Sequence, residues 1–391
     1  MNLAALLARL ATAHTEDERA WIITANLLAQ MPPDLRAMTW AAAIPHWFDA
    51  ATLAALRPEL ADRAAALYAD LQTLSFVEVF PERGHNIHER TRQLLLDQLW
   101  RENPDEFRTL SARAAEFFAG RDEIEFRIAY TCHLLVADPD KGADAVRNLG
   151  ADLNNTFRFA ELETLVNVAL EPIRAGRVSG RARGWVYFRK GKLESQSYRP
   201  EALETFQSAL ADADQDQNLQ ANVLKAMGDV QQFRKNMDAA LTTYAQALDL
   251  FRAVGDRLGE ANVLQAMGDV QRLSGEHESA LKNYDDALPL FHLIGSKLGE
   301  ANVLASQSRL LVRMGEITKG EQLLEQAIAV RGEIHDLYSQ GADYGNFALA
   351  LVTTGEKAKA KPYALKAKEL WRQFNEPSLM QWIDDLIESC E

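Results

Sequence analysis

Two short stretches carry side chains whose types and spacing belong to metal chemistry. His85-x-x-His88-Glu89 presents two imidazoles and a carboxylate, a donor set that suits zinc and its neighbours. The flanking residues alternate like a strand, however, and an odd offset puts His85 and His88 on opposite faces. Asp212-x-Asp214-x-Asp216 opens like a calcium loop, which needs glycine at its sixth position and glutamate at its twelfth. Gln217 and Val223 stand there, so the stretch reads as a solvated turn between helices. Gly191-Lys192 has the last pair of a phosphate-binding loop without its upstream glycine or a following Ser or Thr. Cys132 and Cys390 are the only cysteines and support neither a disulfide framework nor a zinc pattern. The histidines form no Ser-His-Asp or Cys-His constellation. These residues imply no cofactor, no metal and no active site; the expected protein is not an enzyme.

Composition narrows the class further. The chain has 391 residues, 47% hydrophobic and 25% charged, as in ordinary folded proteins. Its net charge of -14 argues against general nucleic-acid binding, which uses clustered Lys and Arg. No apolar run is long enough to span a membrane, Met1–Ala13 lacks a basic leader, and two isolated cysteines suit a reducing compartment. The expected location is cytoplasmic.

The elements that position these residues announce themselves by repetition. Ala-Asn-Val-Leu begins at Ala221, Ala261 and Ala301, forty residues apart, and a fixed period of this size marks a solenoid of stacked units. Within a unit, Val263, Leu264, Met267 and Val270, then Leu281, Tyr284, Ala287, Leu288 and Phe291, recur at helical spacing. Gly275, Gly315 and Gly355 divide the two stretches; Lys235 takes that place in the first copy, before Asn236, an N-cap type. Asp216, Asp256, Ser296 and Asp336 are N-cap types at the joins, Gly255 and Gly295 suit the preceding helix ends, and Glu260 and Glu300 suit the following first turns. Each unit is expected to be two antiparallel helices of about sixteen residues.

The pattern resembles the tetratricopeptide repeat family. Gly228 and Gly268 match the small residue of that family's helix A, Ala240 and Ala280 that of helix B, Tyr244 and Tyr284 the large residue four on, and Ala247 and Ala287 the next small one. The later copies diverge to Ser308, Gly320, Leu324 and Ala327, then Ala348, Ala360, Ala364 and Ala367; the closing proline is absent and the period is forty. The resemblance implies that the A helices line a groove. Its positions here are Asn222, Lys225, Asp229 and Gln232, then Asn262, Gln265, Asp269 and Arg272, then Asn302, Arg309 and Arg313. The asparagines can grip a peptide backbone, form part of a solvated face, or simply bridge neighbouring helices. Trp185 and Tyr187 are core anchors or a further part of that groove.

The first third has no such period. Thr15 and Glu18 suit a capping box, residues 35–44, 49–56 and 59–73 read as helices, and Phe76–Phe80 and Asn86–His88 as a hairpin before an apolar helix. This order resembles the winged-helix module of signal-transducing NTPases (the STAND class, with NB-ARC members), which often joins such a module to tetratricopeptide repeats. Ile87, His88 and Glu89 match their Met-His-Asp motif, with Glu89 in place of aspartate. The ATPase module expected before it is missing: about 34 residues precede the match. The resemblance therefore implies a separate STAND-type ATPase partner, a fragment, or a lost module. Glu59, Asp62 and Asp70 outweigh Arg63 on the recognition-helix candidate, which disfavours DNA.

The expected architecture is an all-α, right-handed tetratricopeptide superhelical solenoid with an N-terminal winged-helix-like module. The expected parts are an N-terminal helical segment (1–34), the winged-helix-like domain (35–120), a connector or degenerate repeat (121–179), the array (180–376) and a capping helix (377–391). The expected function is recognition of a protein or peptide. The alternatives are a winged-helix transcriptional regulator with a ligand-sensing array, and a cytoplasmic peptide receptor resembling the quorum-sensing type.

Overall fold

The computed structural model describes residues 3–391; the expectation for Met1 and Asn2 lies outside them. The chain divides into two compact units, Met1–Asp214 and Gln215–Glu391, so the boundary falls inside the array expected over 180–376.

The first unit opens with α1 (Leu3–Thr12), α2 (Glu16–Gln30), α3 (Pro33–Ala43), α4 (Ala50–Leu56) and, after a 3-10 segment at Pro58–Arg63, α5 (Ala64–Leu71). Thr15 and Glu18 form the expected capping box on α2. An antiparallel hairpin follows, β1 (Val77–Phe80) with β2 (Gly84–Ile87), in register Val77 to Ile87 and Phe80 to Gly84. Gly84 sits at φ +94°, and a Cβ there would collide with the Phe48 carbonyl. That closeness serves pairing: Phe48 N–H donates to His85 O (2.7 Å) and His85 N–H to Phe48 O (2.9 Å). Met38, Phe48, Leu53, Leu71, Ile87 and Leu95 are buried in this unit. The remaining helices are α6 (Glu89–Glu102), α7 (Pro104–Phe118), α8 (Ile124–Ala137), α9 (Pro139–Asn155), α10 (Phe159–Arg174), α11 (Gly180–Gln196) and α12 (Ala202–Ala211).

The second unit is four helical hairpins and a closing helix: α13 (Gln217–Phe233) with α14 (Met237–Val254), α15 (Arg257–Ser274) with α16 (His277–Ile294), α17 (Lys297–Arg313) with α18 (Ile317–Glu333), α19 (Leu337–Thr353) with α20 (Lys357–Trp371), then α21 (Pro377–Ser389). The forty-residue signals do the work their chemistry suggests. Asp216, Asp256, Ser296 and Asp336 each cap the following helix through the side chain. Gly275 turns the chain at φ +82°, and Lys235 adopts the same left-handed conformation at φ +61°. Asn236 stands at the N-cap of α14 but its side chain makes no capping bond. Ile383 and Leu386 of α21 are buried with Phe347, Leu351 and Trp371, which covers the apolar face that the last repeat would otherwise expose. The architecture is an all-α tetratricopeptide-type solenoid with one small hairpin.

Small residues set the spacing inside each hairpin. A Cβ on Gly228 would lie 2.5 Å from the Tyr244 ring, and one on Gly268 2.6 Å from the Tyr284 ring. In the third copy both members change together. Ser308 replaces the glycine and donates to Gly320 O at 2.7 Å, while Leu324 replaces the tyrosine.

Candidate binding groove

Among the residues first suspected of metal chemistry, His85, Asp212 and Asp216 have other partners. Tyr68 Oη and His85 Nδ1 are hydrogen-bonded at 2.7 Å, whereas His88 is exposed at the start of α6. Asp212 is buried and receives both Arg183 Nε and Nη2 at 2.6 Å, and Asp216 caps α13. Gly191 lies inside α11, where a Cβ would lie 2.6 Å from the Phe206 ring. Trp185 is 1% exposed and is a core anchor, not a groove residue; Tyr187 is half-buried. Ile87 is buried at the end of β2, and Glu89 is exposed beside Arg92 and Gln93.

The A helices α13, α15, α17 and α19 present their polar faces to a cavity of ≈ 370 Å³. Six of the expected groove residues line it: Gln232, Gln265, Asp269, Arg272, Asn302 and Arg309. The other five do not. Asn222 Nδ2 donates to Asn218 O within its own helix (2.8 Å). Lys225 and Asp229 pair along α13 (2.8 Å), and Asp229 also accepts from Tyr244 Oη (2.8 Å). Asn262 is half-buried outside the cavity, and Arg313 is exposed in the last turn of α17. The asparagines therefore do not form an open ladder: Asn222 serves its own helix, and Asn302 Oδ1 accepts from Arg331 Nη2 (2.8 Å).

Four lining residues escaped the sequence reading: Ala305, Ser306, Arg331 and Asp343. Arg331 and Asp343 are each 4% exposed and joined Nε to Oδ2 at 2.7 Å; Arg331 Nη1 also reaches Asp336 at 3.1 Å. The forty-residue register held the signal. Arg331 stands where Phe251, Phe291 and Trp371 stand, and Asp343 where Val223, Val263 and Val303 stand. Two core positions have thus become an ion pair at the cavity wall. Burial pushes the Asp343 carboxyl upward against the opposing pull of Arg331.

Tyrosine hydroxyls fix the acidic side chains along the groove. Tyr284 Oη donates to Asp269 Oδ1 at 2.7 Å. Burial and the adjacent carboxylates push the Tyr244 and Tyr284 hydroxyls above their ordinary range, so both remain donors at physiological pH. Arg272 lies 3.7 Å from Asp269. Arg309 has one hydrogen bond among the described residues, Nη2 to Ser306 Oγ (3.0 Å), and burial lowers its guanidinium from the ordinary value. The cavity is a polar site with fixed hydrogen-bonding groups.

A family model for the tetratricopeptide repeat matches residues 219–291, the stretch that carries α13 to α16. These are tetratricopeptide repeats. No curated protein matches the chain. Among solved structures, BtubC from P. vanneervenii is 17% identical, with a TM-score of 0.44, over 65% of this chain and 93% of its own. A STAND protein with a tetratricopeptide repeat sensor from Pyrococcus horikoshii is 12% identical, with a TM-score of 0.49 over 98% of this chain. This chain spans 63% of that protein's length. A Rap protein complexed with competence and sporulation factor is 14% identical, with a TM-score of 0.49, over 75% of this chain and 85% of its own. Likeness at these identities concerns the fold alone. Among the described residues, no helix is long and apolar enough to cross a membrane.

Proposed function

We propose that this chain is a cytoplasmic, non-enzymatic recognition module that holds a protein or peptide against the A helices of its repeats. The observation that carries the reading is the polar cavity where α13, α15, α17 and α19 converge. Repeat arrays use such concave faces for binding. Capture from the native host with the intact chain, compared with a Gln232→Ala/Gln265→Ala/Arg309→Ala variant, tests it. A partner retained by the intact chain and by a Lys282→Ala/Lys319→Ala control on the B helices, but lost by the groove variant, is the expected result. A partner retained equally by all three contradicts it.

The same proposal takes residues 35–120 as a winged-helix-like module that couples recognition to a separate STAND-type ATPase. Three helices, a hairpin and a helix follow one another in that plan's order, and His88 and Glu89 are exposed. DNA is disfavoured on this module: Arg63 is paired with Asp34, and Glu59 with Arg57 and Arg113. Loss of ATPase co-purification on His88→Ala/Glu89→Ala, with groove binding intact, is expected; unchanged co-purification with that ATPase would assign the contact elsewhere.

A further inference from the structure

We propose that the second unit carries a self-association surface along the joins between its repeats, where two copies of this chain pack together. The forty-residue register locates it. The joins are marked by the N-cap residues Asp256, Ser296, Asp336 and Glu376. Two residues before these caps stand Val254, Ile294, Ile334 and Phe374; two residues after the first three stand Leu258, Leu298 and Tyr338. All but Val254 are 37–54% exposed. A lone exposed leucine is ordinary. Here the residue type changes from copy to copy yet stays large and apolar, whereas elsewhere the copies diverge freely: Asp229 and Asp269 give way to Arg309.

Consecutive joins abut, which makes the two columns one stripe. Lys297 of one join meets Glu333 of the next at 3.1 Å, and the Tyr338 and Phe374 rings lie 5.5 Å apart. With the exposed Leu293 and Leu337 beside them, these side chains leave an apolar area on the order of 600 Å² in solvent. That is at the upper end of what a monomer leaves contiguous and most of the ~800 Å² per partner of a standard interface. None of these residues lines the polar cavity, so the surface stands apart from the groove. A second copy is the occupant that fits. A periodic row meshes with an identical row turned by a two-fold rotation, because both have the same step. The charges beside the stripe are tied within the chain: Arg252 to Glu260 (2.7 Å), His292 to Glu300 (3.4 Å) and Lys297 to Glu300 (3.5 Å). The stripe therefore calls for no oppositely charged partner. The net charge of -14 opposes the contact only weakly, since exposed charges are screened beyond about 8 Å at physiological salt.

The test is sedimentation of the intact chain across the micromolar range, at low and at high salt. A mass twice that of one chain, retained at high salt, is the expected result. Leu258→Glu/Leu298→Glu weakens the dimer roughly 100-fold or more, because each copy then buries two unpaired charges. Both positions lie in the first turn of a helix, where glutamate suits the dipole, so the circular dichroism of this variant stays that of the wild type. Leu273→Lys, at the other end of α15 and also exposed, leaves the dimer intact. A chain that is monomeric throughout, a dimer that salt dissolves, or a dimer that Leu258→Glu/Leu298→Glu does not weaken would each overturn the proposal. A monomer that instead retains a host protein, and loses it on that double substitution, would give the stripe to another chain and overturn the second copy as its occupant.

Discussion

Gly268 and Tyr284 show how single residues set the spacing of the repeats. The ring occupies the space a methyl group would need, 2.6 Å from an ideal Cβ, and its hydroxyl is tied to Asp269. Gly268→Ala gains about 1 kcal/mol in helix propensity but overpacks a fully buried ring at about 1–3 kcal/mol. A net loss of up to about 2 kcal/mol in denaturant unfolding is expected. Tyr284→Leu in the same chain should relieve the steric part, since Ser308 and Leu324 already form that pairing in the next repeat. A double-mutant cycle with no coupling would show that ring and glycine do not share the space. This pairing was legible in the sequence because two copies repeat it. Arg331 and Asp343 were not, because a charged side chain is by default a surface residue; only their register against Phe291 and Val303 reveals that they are buried. The asparagines misled for the opposite reason: identical residues at identical spacing make different hydrogen bonds in different copies.

Between elements, two polar contacts decide how helices hold together. Arg92 of α6 donates to Ala43 O (3.1 Å) and Ile44 O (3.3 Å) at the end of α3, and to Glu171 of α10 (3.3 Å), which His46 also meets at 3.2 Å. Burial works to raise the Glu171 carboxyl, but His46 and Arg92 outweigh it and hold it near 2 instead of 4.5. A folded value below the unfolded one stabilises above the unfolded value, and that contribution disappears as pH falls from 4.5 to about 2. His133, kept neutral by burial down to about 3 from 6.5, adds a loss of the same sign over its own interval. The melting temperature should therefore fall through both windows. Glu171→Gln should melt lower at neutral pH and fall less steeply between pH 4.5 and 2; a parallel pH curve would remove Glu171 from the account. In the second unit, Arg331→Phe/Asp343→Val restores the residues of earlier copies. Replacing a buried ion pair by packed apolar groups is neutral or stabilising by about 1–4 kcal/mol, whereas Asp343→Val alone leaves the buried Arg331 with only Asp336 and Asn302 as partners and is destabilising. Calorimetry of the three chains checks the order. A double variant less stable than Asp343→Val would contradict it.

For the whole molecule, the forty-residue period made the solenoid and its joins legible, because caps and turns obey local rules that recur unchanged. The division at Asp214 and Gln215 was hidden, since the contacts that define a unit are not written in any one repeat. The cavity was half legible: periodicity picks out the helix face, but which side chains remain open on it depends on how each copy spends its polar groups internally. A buried ion pair, a tied aspartate and an arginine bonded to Ser306 set this face of the repeats apart from a plain repetition. Hydrogen exchange of the intact chain, free and saturated with its captured partner, tests this most directly. The account predicts slowed exchange in α13, α15 and α17 around Gln232, Gln265 and Arg309; protection confined to the B helices or to residues 35–120 would contradict it.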